Sequence, residues 1–114
     1  MGKQLRSERQ LNIQEKDTDK KLPERILKDI SAIAETCSVE KIVLFGSRAR
    51  GENTERSDID IAVYGGNFED FYWKIKENVH SLLMFDIVDI DAGISEELAQ
   101  EIERDGVIIY EKTR

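Results

Sequence analysis

A β-branched run, KIVLF (Lys41–Phe45), stops at Gly46-Ser47, and after a polar loop the stretch DIDIAVY (Asp58–Tyr64) alternates up to Gly65-Gly66. The first run reads as a buried strand and the second as a strand with one face on a core. Between them lies GSRARGENTERS, which is too polar to bury; Gly46 and Gly51 leave room there for only a short helical segment. Whatever else the chain does, it must carry a strand, a glycine–serine turn and a second strand in quick succession.

The remaining segments supply what such a pair of strands needs for cover. Pro23 suits a first helical turn, and Leu22, Ile26, Leu27, Ile30, Ile33 and Ala34 recur as the apolar stripe of a helix that fades near Thr36–Ser38. Phe71, Ile75 and Val79 predict a helix from Phe68 to about Leu83. FDIVDI (Phe85–Ile90) predicts a third strand. Ser95 caps a last helix with Leu98, Ala99 and Ile102 inward, and after Gly106 the run VIIYE (Val107–Glu111) predicts a fourth strand. The expected class is α+β, a small mixed sheet packed with helices. Residues 1–20 hold little to bury and are expected to form a mobile charged arm, with 21–114 as one domain.

Composition narrows the function. With 24 acidic against 17 basic residues the formal charge is −7, which disfavours broad nucleic-acid binding through a basic face. The one cysteine, Cys37, excludes an internal disulfide and a cysteine-based metal cluster, and is expected to be buried at a helix end. Nothing resembles a membrane span or a secretory signal, so a cytoplasmic location is the expectation.

The chemistry concentrates around the loop. Asp58 and Asp60 share a strand parity, about 7 Å apart, while Ile59, Ile61 and Val63 take the other. Like charges so placed repel by roughly 1–4 kcal/mol, and a divalent cation with oxygen ligands relieves them. An isolated Asp-x-Asp is an ordinary feature of an exposed strand. Here, however, the Gly46-Ser47 turn upstream offers an anion-binding backbone, a hydroxyl and room for close approach, and Arg48 and Arg50 add forked phosphate donors. A third carboxylate is expected from the FDIVDI strand. Asp86 is the first choice, because a carboxylate between Phe85 and Ile87 needs a partner, and Asp89 is the fallback, since parity does not say which face meets the Asp58–Asp60 strand. His80 reads as a surface or satisfied histidine at a helix end rather than a base, and the run Glu96, Glu97, Glu101 and Glu103 as a solvated helix face. Trp73 and Tyr72 read as core and rim, with an exposed Trp73 as the alternative that would mark a docking face.

GSRARG followed by SDIDIAV resembles the signature of the minimal nucleotidyltransferases of the DNA polymerase beta superfamily, in which GSxARG and SDxD are separated by a short loop. Gly46, Ser47, Ala49, Arg50, Gly51, Ser57, Asp58 and Asp60 match it. FDIVDID resembles the family's third-carboxylate strand, where the first aspartate is the ligand, and ERDGVIIYE its C-terminal ending. The resemblance covers about residues 22–111 and is nearest to the MntA-like antitoxins of HEPN/MNT pairs. It implies two Mg²⁺ ions on Asp58, Asp60 and Asp86, with ATP on Gly46, Ser47, Arg48, Arg50 and Ser57. It also implies transfer of AMP to a hydroxyl, a tyrosine of a HEPN-type partner. An alternative is a module that neutralises a partner by contact alone. A chain this short lacks an acceptor-gripping domain, so a partner protein or a second copy must complete the site.

Overall fold

The structure, a computed structural model, describes residues 22–79 and 83–113. The charged arm at residues 1–20 and His80 lie outside the described residues. The elements follow in the order α1 (Glu24–Thr36), β1 (Lys41–Phe45), α2 (Ser47–Arg50), β2 (Ile59–Tyr64), α3 (Phe68–Asn78), β3 (Phe85–Asp89), a 3-10 turn (Ile90–Ala92), α4 (Glu96–Asp105) and β4 (Val107–Glu111). The sheet order is β3-β2-β1-β4. β1 pairs antiparallel with both β2 and β4, whereas β2 and β3 run parallel, joined through α3 because a parallel pair needs a crossover.

Side-chain parity divides the core between the two faces of this mixed sheet. Ile42 and Leu44 of β1 and Ile59, Ile61 and Val63 of β2 meet Leu22 just ahead of α1, Ile26, Ile30 and Ala34 along it, and Phe71 and Ile75 of α3. On the other face Val43, Phe45 and Ala62 meet Ile102 of α4, with Leu98 and Val88 beside them. The sheet is thus the middle layer, with α1 and α3 below and α4 above. Cys37 is buried at the end of α1, as expected.

Two expectations need correction. The third helix ends at Asn78 rather than near Leu83: Val79 turns extended and carries its buried side chain into the core, so the stripe outlasts the helix. Trp73 is not core but 55% exposed, because Phe71 and Ile75 take the sheet-facing side of α3. It stacks edge-on against Tyr72, which is half-buried.

Candidate active site

Asp60 is the residue around which the local structure is organised. Since Ile59, Ile61 and Val63 enter the α1–α3 core, Asp60 falls on the α4 side of β2, where its neighbours in register are Phe45 on β1 and Asp86 on β3. Asp86 is exposed. Asp58 lies just ahead of the strand and is also exposed. The half-buried Asp60 carboxyl is pushed up to about 6, first by burial, then by the charges of Asp86 and Asp58 and more weakly by Glu101, with Arg50 pulling the other way. Asp60 therefore feels both of the other carboxylates that the sequence singles out.

Asp89 goes elsewhere. It pairs with Val63 at the opposite end of the β2–β3 ladder, and its carboxylate accepts from the Asp91 N–H at 3.1 Å to cap the 3-10 turn. Asp91 in turn accepts from the Gly65 N–H at 3.0 Å. Both are turn-forming residues remote from Asp60.

β1 delivers Gly46 directly against Asp60. Gly46 has φ 77° and ψ −156°, a region that side chains exclude, and a Cβ there would overlap the Asp60 carboxylate. Ser47, half-buried, follows as the first residue of α2, and the left-handed Gly51 ends that helix after one turn. The glycine thus gives room to a carboxylate of its own chain as well as ending a strand.

The two arginines have different surroundings. Arg48, expected among the nucleotide-binding residues, is 3% exposed; its Nε donates to the Ser57 carbonyl at 3.1 Å and its Nη2 to the Glu55 carbonyl at 3.3 Å. It ties down the loop that presents Asp58. Burial lowers its pKa, opposed by Asp58 and Asp60. Arg48→Met keeps the stem but removes both donors. It should lower the unfolding free energy by about 2–3 kcal/mol, read as an earlier urea midpoint; an unchanged midpoint would place the guanidinium elsewhere. Ser57 is likewise engaged in the loop, its hydroxyl accepting from the Thr54 N–H at 2.9 Å. Arg50 stands on the α4 side, paired with Glu52, Glu101 and Asp105.

Glu101 and Asp105 escape sequence reasoning. Glu101 reads as part of a solvated acidic face, yet it is half-buried against Arg50. Its only signal is its place beside inward-facing Ile102, on a helix whose docking no local pattern reveals.

Among the described residues no three acidic, histidine or cysteine side chains are gathered closely enough to hold a metal ion as they stand. The donor chemistry nonetheless suits a hard divalent cation. Burial first, and then the nearby charges of Asp86 and Asp58, make the ionised Asp60 carboxylate costly, and a cation bound there would offset that cost. No described helix is long and apolar enough to cross a membrane.

Comparison with known proteins follows the same line. A Methanocaldococcus jannaschii protein whose name assigns it as a protein adenylyltransferase is 45% identical over 60 residues, 53% of this chain and 58% of that one. The chain thus matches little more than half the length of this curated relative. Among solved structures, a toxin–antitoxin crystal structure with AMP-PNP superimposes with a TM-score of 0.60 at 23% identity, over 76% of this chain and 74% of that one. A variant of the MntA–HpeT toxin–antitoxin superimposes with a TM-score of 0.58 at 20% identity, over the same shares of the two chains. At such identities the likeness speaks for the fold. The sequence model for "Polymerase beta, Nucleotidyltransferase" matches residues 27–114, spanning every strand and the whole Asp58–Asp60–Asp86 edge, and the chain belongs to that family.

Proposed function

We propose that the chain is a Mg²⁺-dependent nucleotidyltransferase that moves AMP from ATP to a protein hydroxyl, a tyrosine of a HEPN-type partner toxin, with residues 21–114 as the catalytic domain. The observation that carries the proposal is the register of Asp60 with Asp86, beside a glycine whose missing side chain makes room for the Asp60 carboxylate. The name of the archaeal relative and the toxin–antitoxin neighbours support the acceptor class.

In the reaction the acceptor oxygen attacks the α-phosphorus of ATP, the bond to the bridging oxygen breaks, and pyrophosphate leaves with that electron pair. The hydroxyl proton passes to solvent. Magnesium, held by Asp58, Asp60 and Asp86, would supply Lewis-acid neutralisation of the acceptor and the leaving group. The chain's own residues bind and orient: Gly46 and Ser47 border the phosphates, Arg50 offers donors to them, and Arg48 and Ser57 fix the loop that carries Asp58. The acceptor comes from the partner, whose docking completes the site.

The test is α-labelled ATP with Mg²⁺ and the co-expressed partner. Label should appear on a partner tyrosine and fall at least about a hundredfold with Asp58→Asn. A stable complex that stays unlabelled would overturn the enzymatic reading in favour of neutralisation by contact.

A further inference from the structure

Arg50 is held by residues from two separate parts of the chain. Its Nε donates to Glu52 Oε1 at 2.9 Å, from the neighbouring loop. Its Nη1 donates to Glu101 Oε2 at 3.4 Å, across 51 residues of sequence, and lies 3.9 Å from Asp105 Oδ2 one turn further along α4. Glu52 is 66% exposed, whereas Glu101 and Asp105 are 32% and 18% exposed, so the α4 carboxylates are the better shielded from solvent. Asp105 is shared with Arg104, which donates to it at 2.9 and 3.1 Å. Glu101 is thus the α4 partner that hydrogen-bonds Arg50. Among the described residues Nη2 of Arg50 donates to no protein acceptor.

A guanidinium is a planar fork, and when two of its nitrogens are engaged the direction of the third is set as well. A free arginine side chain carries about 2 kcal/mol of rotamer entropy, part of which is lost when it grips a phosphate. A brace made before the ligand arrives reduces that loss and so strengthens binding. The brace also links α4, on one face of the sheet, to α2 at the end of β1.

We infer that Glu101 is a positioning residue for nucleotide binding: it acts through Arg50, holding the guanidinium by Nη1 so that Nη2 is left for a phosphate oxygen of the triphosphate. The inference rests on the nucleotidyltransferase reading above and adds to it a determinant of triphosphate affinity on α4, outside the two sequence motifs. A merely structural tie between helix and loop would show in stability alone; a positioning tie shows in KM for ATP, with kcat changed much less.

The probe is α,β-methylene ATP with Mg²⁺, which cannot release pyrophosphate, and its dissociation constant is measured by calorimetry for Glu101→Ala, Glu101→Gln, Arg50→Ala and the Arg50→Ala/Glu101→Ala pair. Glu101→Ala should weaken binding about fivefold, the scale of a partly shielded ion pair, and raise KM to match. Glu101→Gln should recover part of that loss, because its amide oxygen still accepts from Nη1. In the Arg50→Ala background Glu101→Ala should have no further effect. Wild-type binding with an equal or tighter constant for Glu101→Ala would overturn this inference alone, as would an undiminished loss in the Arg50→Ala background. A wild-type protein that binds no probe would overturn the nucleotidyltransferase reading and this inference with it.

Discussion

Asp60→Asn should abolish nucleotide transfer and at the same time make the metal-free protein more stable. The stability half follows from linkage. The Asp60 carboxyl titrates at about 6 in the folded chain against 3.8 as a free side chain, so the folded state binds its proton more tightly than the unfolded state does. Its contribution is fully present below pH 3.8 and is lost as pH rises through 6. Above that, the folded chain carries a half-buried carboxylate facing Asp86 and Asp58. A shift of this size corresponds to about 3 kcal/mol, and screening at a half-buried site reduces it to about 1–2 kcal/mol. Asparagine removes the charge, so at pH 8 without divalent cations the variant should melt higher by on the order of 5 °C, and the gap should close by pH 4. Transfer should fall by about a thousandfold or more, since an amide is a poor ligand for a hard cation. A variant that melts lower at pH 8 would remove the electrostatic account; one that keeps transfer would remove the ligand assignment.

How far this site was legible in the sequence depends on the range of each interaction. The Asp58–Asp60 pair and the glycine turn are local features, and strand periodicity alone puts Asp60 opposite the Ile59, Ile61 and Val63 core face. The choice between Asp86 and Asp89 is not local: both lie in one strand, and only its parallel register with β2 sets Asp86 against Asp60 and Asp89 against Val63. Arg48 has the chemistry of a phosphate ligand, but the loop carbonyls of Glu55 and Ser57 fold back over its buried guanidinium, and no spacing rule foretells that. Glu101 meets Arg50 only because α4 docks on the Val43–Phe45–Ala62 face. The order of helices and strands was readable because each apolar stripe has its own period. Trp73 faces solvent because Phe71, two residues earlier, already fills the inward position. Periodicity gives the face a residue occupies, while contacts between elements depend on register and docking.

Gly46→Ala should damage both stability and transfer, for two separable reasons. The backbone at φ 77° and ψ −156° admits essentially only glycine, and forcing alanine into it costs about 1–3 kcal/mol. The added Cβ would also overlap Oδ2 of Asp60, which must move. Since Asp60 sits near the start of β2, in register with Phe45 and Asp86, displacing its carboxylate changes how it faces Asp86. The expected result is a loss of about 2–4 kcal/mol of stability and at least about a hundredfold of transfer, more than either the strain or the ligand shift alone would give. A double-mutant cycle separates the two causes. Asp60→Ala removes the carboxylate that the new methyl would strike, so in that background Gly46→Ala should lose only its backbone penalty, and the two stability effects should couple by about 1–2 kcal/mol. Strictly additive effects would mean that Gly46 serves the chain's turn alone, and that the close approach of strand end and carboxylate plays no part in shaping the site.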